Sequence, residues 1–201
     1  MYSHCNQIIS NAHFMCNMCI DKYSTLSYPL DMSESKTING ITSVNFIPAV
    51  VAFLVKDDQV LLIERKKVTL NLGKNLISGV GGKIGDRESF KNESADEALV
   101  RELNEELELT PTKYTRVGNV KFVWETEPTW NMDVAIYIVK KWNGVPKETE
   151  VAKPEWYKIT HLPQNQMWED NKYWVPKILN GENVNAIFYY GADKKVSTFT
   201  I

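Results

Sequence analysis

The sequence predicts an α/β fold, a mixed β-sheet sandwiched between α-helices, on three observations. Two apolar runs, FIPAVVAFLV (46–55) and QVLLIER (59–65), flank the turn residues Asp57 and Asp58, as the strands of a hairpin do. Ser94 and Glu97 form the S-x-x-E pattern of a capping box directly before an apolar period. Beyond that period lie further strand-like runs, interrupted by one more helical stretch. A sheet with helices on its faces is the simplest packing of such an order.

Residues 1–44 are polar and mixed, without a sustained period. They read as an N-terminal extension, weakly ordered or covering a partner or the pocket, ahead of a domain over 45–201. Within it Cys5, His13, Cys16 and Cys19 offer ligands for a zinc ion. Cys16 and Cys19 have the C-x-x-C spacing, but no second spaced pair completes the set. After the hairpin, a loop rich in Lys, Asn and Gly (66–75) leads to LISGVGG (76–82), a short apolar run with glycines. The capping box then starts a helix over about 95–107. TRVGNVKFVWE, MDVAIYIVKKW and PEWYKI are strand-like, a second helix covers about 170–180, and NAIFYYG and VSTFTI are short closing strands.

The 23 basic and 25 acidic residues leave a net charge of −2, so nothing broad favours nucleic acid or an acidic membrane as partner. No apolar run approaches the roughly 18 residues needed to span a bilayer. The start lacks a basic region followed by an apolar core, and the three cysteines cannot pair evenly. A reduced, cytoplasmic setting is the default expectation.

RELNEELEL (101–109) concentrates carboxylates on the predicted helix. Positions i, i+3 and i+4 share a face, so Glu102, Glu105 and Glu106 project together. Their repulsion becomes binding if a divalent cation sits among them, since hard oxygen ligands suit Mg²⁺ or Mn²⁺. Arg101, one turn before Glu105, can orient that carboxylate. A solvated helix face would interleave bases with the acids, yet none appears between Arg101 and Lys113. Upstream, SGVGGK sets two adjacent glycines and Lys83 a short distance before the cluster, where backbone can approach a ligand closely.

These residues resemble the box of the Nudix hydrolases, G-x5-E-x7-R-E-U-x-E-E-x-G-U, with U a bulky apolar residue. Its second half is present as Glu93, seven residues, then Arg101-Glu102-Leu103-Asn104-Glu105-Glu106-Leu107-Glu108-Leu109. Gly82 is the opening glycine, separated from Glu93 by an insertion of five residues. Gly82-x5-Glu88 also fits the first half, but Glu93 is preferred because Ser94 then caps the helix. Glu108 stands where the family has a helix-ending glycine, at a cost of about 1 kcal/mol. The resemblance implies Mg²⁺-dependent cleavage of a nucleoside diphosphate derivative. Glu102, Glu105, Glu106 and the Gly81 carbonyl are then the ligands of about one to three ions, and Glu105 or a loop carboxylate the proton acceptor.

From Val117 onward the chain is similar to the MutT-homologue group, the oxidised purine nucleoside triphosphatases that hydrolyse 8-oxo-dGTP. The runs VGNVKFVWETEP, NMDVAIYIVKKWNGVPKETE, KPEWYKI, LPQNQMWEDNKYWVP and FYYG carry it. Phe122, Met132 and Trp168 are implied to line a base pocket, with Asp170 and Asn171 facing the purine edge. A plainer reading of MWEDNKYW is a helix N-terminus with Asp170 or Asn171 as cap and both tryptophans in the core. Close relatives have two adjacent aspartates where this chain has Asp170-Asn171. Two acids can share a proton and accept alternative edges, whereas an amide has a fixed donor and acceptor, so a guanine-type edge is expected. Ser78 replaces a pocket asparagine, and Val151 replaces a loop acid, for which Glu150 one residue earlier can stand in through a bulge.

The expected activity is pyrophosphohydrolysis of a small-molecule purine nucleoside triphosphate, and a monomer fits it. The altered 66–75 loop leaves open other Nudix substrates: an ordinary dNTP, a dinucleoside polyphosphate, ADP-ribose or a capped RNA. A non-catalytic nucleotide-binding module is the alternative of another class, and intact Arg101, Glu102, Glu105 and Glu106 argue against it.

Overall fold

The computed structural model describes residues 44–66 and 76–201. The extension with its Cys and His set, and the 66–75 loop apart from Lys66, lie outside the described residues. The hairpin forms as expected: β1 (Ile47–Lys56) pairs antiparallel with β2 (Gln59–Arg65), and Asp57 takes positive φ at the turn. A short β3 (Ile77–Ser78) follows, then α1 (Ala95–Leu107), β4 (Thr110–Trp124), β5 (Met132–Asn143), β6 (Ala152–Lys158), α2 (Asn171–Leu179), β7 (Val184–Tyr190) and β8 (Val196–Thr200). β4 begins five residues earlier than its apolar run suggests, because the chain leaves α1 in one tight turn and pairs at once with β5.

The strands make one mixed sheet in the order β3-β2-β1-β5-β4-β7-β8, with β6 on the other edge of β2. β1 runs parallel to β5, and β4 parallel to β7; the other pairs are antiparallel. Alternation along β1 serves two cores at once. Val50, Ala52 and Leu54 join Ala98, Leu99, Leu103 and Leu107 of α1 on one face. Phe53 points the other way and joins Trp174, Val175 and Ile178 of α2, with its ring edge-on to Trp174 at 5.7 Å. Burying each such large side chain contributes about 1.5–3 kcal/mol. The expected sheet between helices is what the chain forms. Among the described residues no helix is long and apolar enough to cross a membrane.

Beyond β3 the glycine segment runs alongside β1. Val80 exchanges backbone hydrogen bonds with Ala52 (2.7 and 3.0 Å), and the Gly82 carbonyl accepts from Val50 N–H (2.9 Å). This close approach demands glycine. A Cβ on Gly81 would lie 2.1 Å from the Val50 carbonyl oxygen, and one on Gly82 would lie 2.3 Å from Glu102 Oε1. The segment therefore lays its backbone directly against the carboxylate helix.

Candidate active site

Local chemistry fixes both ends of α1. The Ser94 hydroxyl accepts from Glu97 N–H (3.2 Å), and the Glu97 carboxylate accepts from Ser94 N–H (2.8 Å), completing the capping box. At the other end Glu108 adopts the left-handed conformation (φ 57°, ψ 38°) that the family glycine would supply. Its N–H bonds back to Asn104 O, and its exposed carboxylate pairs with Lys147 at 2.5 Å.

Between these ends three carboxylates meet three guanidiniums. Glu106, 1% exposed, accepts from Arg65 Nη1 (2.5 Å) and from Gly81 N–H (3.0 Å). Arg65 Nη2 also donates to the Gly81 carbonyl (2.7 Å), tying the last residue of β2 to the glycine segment. Buried Glu102 accepts from Arg101 Nη1 (2.6 Å). Arg101 in turn grips Glu93 through Nε and Nη2 (2.7 and 2.9 Å) and donates to Lys83 O (3.0 Å). Glu93, rather than Glu88, is thus the carboxylate against the box arginine. Arg101 reaches Glu105 only at 3.3 Å, whereas Arg87 Nη2 contacts both Glu105 oxygens at 2.9 and 3.0 Å.

Burial, reinforced by the nearby Glu106 carboxylate, pushes Glu102 up to about 7 against the pull of Arg101. Burial also raises Glu106, opposed by Arg65 and the Gly81 amide. Each acid is turned to a guanidinium or an amide. Among the described residues no group of three or more Asp, Glu, His or Cys side chains is gathered round one point as a metal cluster. The donor set nevertheless fits a hard divalent cation: carboxylate oxygens and a carbonyl, two of the acids buried where extra positive charge is favoured.

Lys83 borders this cluster. Lys83 is half-buried, bridges to Ala49 of β1 and holds Arg101 by its carbonyl. Glu150 is exposed on the connection from β5 to β6. Its neighbour Thr149 donates to Glu106 O (3.1 Å), so that connection lies against the C-terminal end of α1.

The second polar centre lies among aromatics. Phe122 of β4 stands opposite Met132 of β5, and its ring stacks on Phe188 and meets Tyr190 edge-on. Trp124 stacks on Tyr190 (4.2 Å, 14°), and Trp168 sits edge-on to both. Asp170, 1% exposed, accepts from Trp174 Nε1 (2.7 Å), Asn171 Nδ2 (3.1 Å) and the Tyr190 hydroxyl. Burial raises its pKa in spite of these donors. Asp170 holds the N-cap position of α2, but its side chain caps no backbone amide, and Trp174 is core while Trp168 is only partly buried. Ser78, on β3 opposite Ile63, donates its hydroxyl to Gly79 O (2.9 Å).

Arg65, Arg87, Trp124 and Tyr190 are site residues that the sequence reading missed. Arg65 lies 41 residues from Glu106, and Tyr190 lies 20 from Asp170. No local spacing announces either pair, although Tyr190 stands in the FYYG run.

The NUDIX domain family matches residues 45–178. The chain is 32% identical over 142 residues to the oxidized purine nucleoside triphosphate hydrolase of Danio rerio, covering 70% of this chain and 84% of that protein. It is 27% identical over 148 residues to the protein of the same name from Mus musculus, covering 74% and 90%. Among solved structures, a MutT protein from Bacillus halodurans superposes with a TM-score of 0.63 at 21% identity, covering 77% of this chain and 97% of that one. A MutT NUDIX hydrolase from Burkholderia pseudomallei gives 0.51 at 24%, covering 60% and 88%. These two likenesses concern the fold. The chain belongs to the NUDIX family.

Proposed function

We propose that this NUDIX hydrolase of phosphoric anhydrides cleaves oxidised purine nucleoside triphosphates, 8-oxo-dGTP among them, to the monophosphate and pyrophosphate, with Mg²⁺ or Mn²⁺ as cofactor. The names of the two relatives, matched over most of their length, support this substrate class. The observation that carries the choice of base is the Asn171–Asp170 contact. With its amide nitrogen turned to Asp170, Asn171 offers its amide oxygen as acceptor. An acceptor matches the donor-bearing edge of a guanine-type base better than the mixed edge of adenine. Trp168 and Phe122 supply aromatic surface for the base, worth roughly 1–3 kcal/mol.

Glu102, Glu105, Glu106 and the Gly81 carbonyl would hold the cation. When bound, it supplies charge for the phosphate oxygens and polarises a water. The chain's own residues do the positioning. Arg101, clasped by Glu93 and Lys83 O, locks α1 to the glycine segment, and Arg65 fixes the Gly81 carbonyl. Glu105, the least buried of the three acids, accepts the proton of the attacking water at a carboxylate oxygen, with Glu150 as the alternative from the β5–β6 connection. Lys83 and Ser78 contribute contacts to the bound nucleotide.

A turnover panel with Mg²⁺ tests the reading, comparing 8-oxo-dGTP, dGTP, ADP-ribose, diadenosine polyphosphates and capped RNA, with product identification. The reading predicts highest kcat/KM for 8-oxo-dGTP and release of pyrophosphate. A higher value for any non-triphosphate substrate would refute it.

A further inference from the structure

We infer that Arg87 binds substrate phosphate by exchanging partners: it neutralises Glu105 in the free protein and turns to a phosphate oxygen when a divalent cation takes Glu105. This rests on the reading of α1 as the metal helix, though not on which base is hydrolysed.

Arg87 belongs to the segment between Gly82 and Glu93, which is five residues longer than the family spacing. It is therefore a feature of this chain and not of the box. Its neighbours differ from those of the other two arginines. Arg101 grips Glu93 with two nitrogens, Glu102 with a third contact and Lys83 O with a fourth, and its side chain is 9% exposed. Arg65 is set in β2 and bridges Glu106 to the Gly81 carbonyl. Arg87 sits on an irregular stretch, with its side chain 29% exposed. It is held by Glu105 through Nη2 and by the adjacent Asp86 through Nε at 3.3 Å. Its guanidinium lies 4.7 Å from the Phe90 ring centroid, and that of Arg101 lies 4.9 Å from the same ring. Phe90, also from the inserted stretch, thus braces Arg87 beside the fixed arginine while leaving its outer nitrogen free to change acceptor.

The chemistry of the exchange is balanced. A carboxylate and a phosphate present paired oxygens that suit the same guanidinium donors. A partly exposed ion pair is weak, so a divalent cation competes well for Glu105. Once displaced from Glu105, Arg87 stands next to the cation with only the 3.3 Å contact of its Nε to Asp86 as counter-charge, so its Nη2 end repels the metal and attracts the polyphosphate. Metal and nucleotide should then bind with mutual support, since the phosphate removes the repulsion.

The test measures Mn²⁺ binding to the nucleotide-free full chain by electron paramagnetic resonance. In parallel it measures inorganic triphosphate binding in the presence of Mg²⁺ by calorimetry. Wild type is compared with Arg87→Gln and Arg87→Lys. Arg87→Gln is expected to bind Mn²⁺ about two- to fivefold more tightly and inorganic triphosphate roughly tenfold more weakly. Arg87→Lys should shift both in the same opposite directions by less, and it carries the test alone if Arg87→Gln does not fold. An unchanged constant in either arm, or weakening of both with a lowered Tm, would make Arg87 structural and overturn the exchange. Neither probe carries a base, so opposite shifts alongside a failed nucleotide panel would fault the substrate and leave Arg87 in its role. No Mn²⁺ binding by wild type would remove the exchange itself.

Discussion

Toward α1, the buried polar groups are acids in quantity: Glu93, Glu102 and Glu106 inside and Glu105 at the margin, answered by Arg65, Arg87 and Arg101. Toward α2, a single carboxylate, Asp170, is surrounded by uncharged donors from Trp174, Asn171 and Tyr190 inside a shell of stacked rings. The first centre sets its acids against guanidinium counter-ions, which under the proposed function a divalent cation would replace at Glu105. The second holds one proton acceptor in a fixed frame that nothing needs to replace. Chemistry that gathers metal and phosphate needs the former, and reading a base edge needs the latter.

The largest effect expected from breaking this division is on turnover. Glu105→Gln should lower kcat by about 10²–10⁴-fold, as read by steady-state kinetics at saturating Mg²⁺ and nucleotide. Undiminished kcat would remove Glu105 from the mechanism.

Next comes stability on the α2 side. Asp170→Ala strips the Tyr190 hydroxyl and Trp174 Nε1 of a buried acceptor, and should cost on the order of 3 kcal/mol in urea unfolding. A loss under about 1 kcal/mol would mean that those donors find water or other acceptors.

The α1 side should answer differently, through pH. Glu102 titrates near 7 in the fold against an ordinary value of 4.5, so its neutral form is the one the fold favours. Its contribution is fully present below about 4.5 and is lost as pH rises through about 7. Metal-free protein should therefore lose on the order of 3 kcal/mol from this group between pH 4.5 and 8, seen as a falling unfolding midpoint in EDTA. Glu102→Gln should flatten that slope, and an equal slope in the variant would assign it to other groups.

Smallest is the effect at the end of α1. Glu108→Gly relieves positive φ by about 1 kcal/mol but forfeits the exposed Lys147 pair, worth about 0.2–1 kcal/mol. A net gain of a few tenths of a kcal/mol is expected, as a small rise in Tm with kcat unaffected. A marked loss would show that the ion pair outweighs the backbone.

The two sides also differed in how much of them could be read from the chain. α1 begins and ends where its capping box and apolar period predict, since both signals act within one or two turns. Arg101 was readable for the same reason, one turn before Glu105, and Glu93 through the resemblance to the family box. Arg65 was not: it is an unremarkable strand end until the sheet brings it to Glu106. Arg87 was hidden because a charge in an irregular stretch carries no period. On the α2 side the residue types were legible and their engagement was not. Asp170 read either as a helix cap or as a base contact, yet it occupies the cap position while its oxygens serve Trp174, Asn171 and a tyrosine on a distant strand. Such partners are chosen by packing between elements, which no single run of residues encodes.

The most direct test of the division is the ratio of kcat/KM for 8-oxo-dGTP to that for 2-oxo-dATP, in wild type and in Asn171→Asp. If Asn171 fixes a guanine-type edge, wild type should favour 8-oxo-dGTP by roughly tenfold or more, and Asn171→Asp should bring the ratio toward one. Comparable values in the wild type would contradict the account.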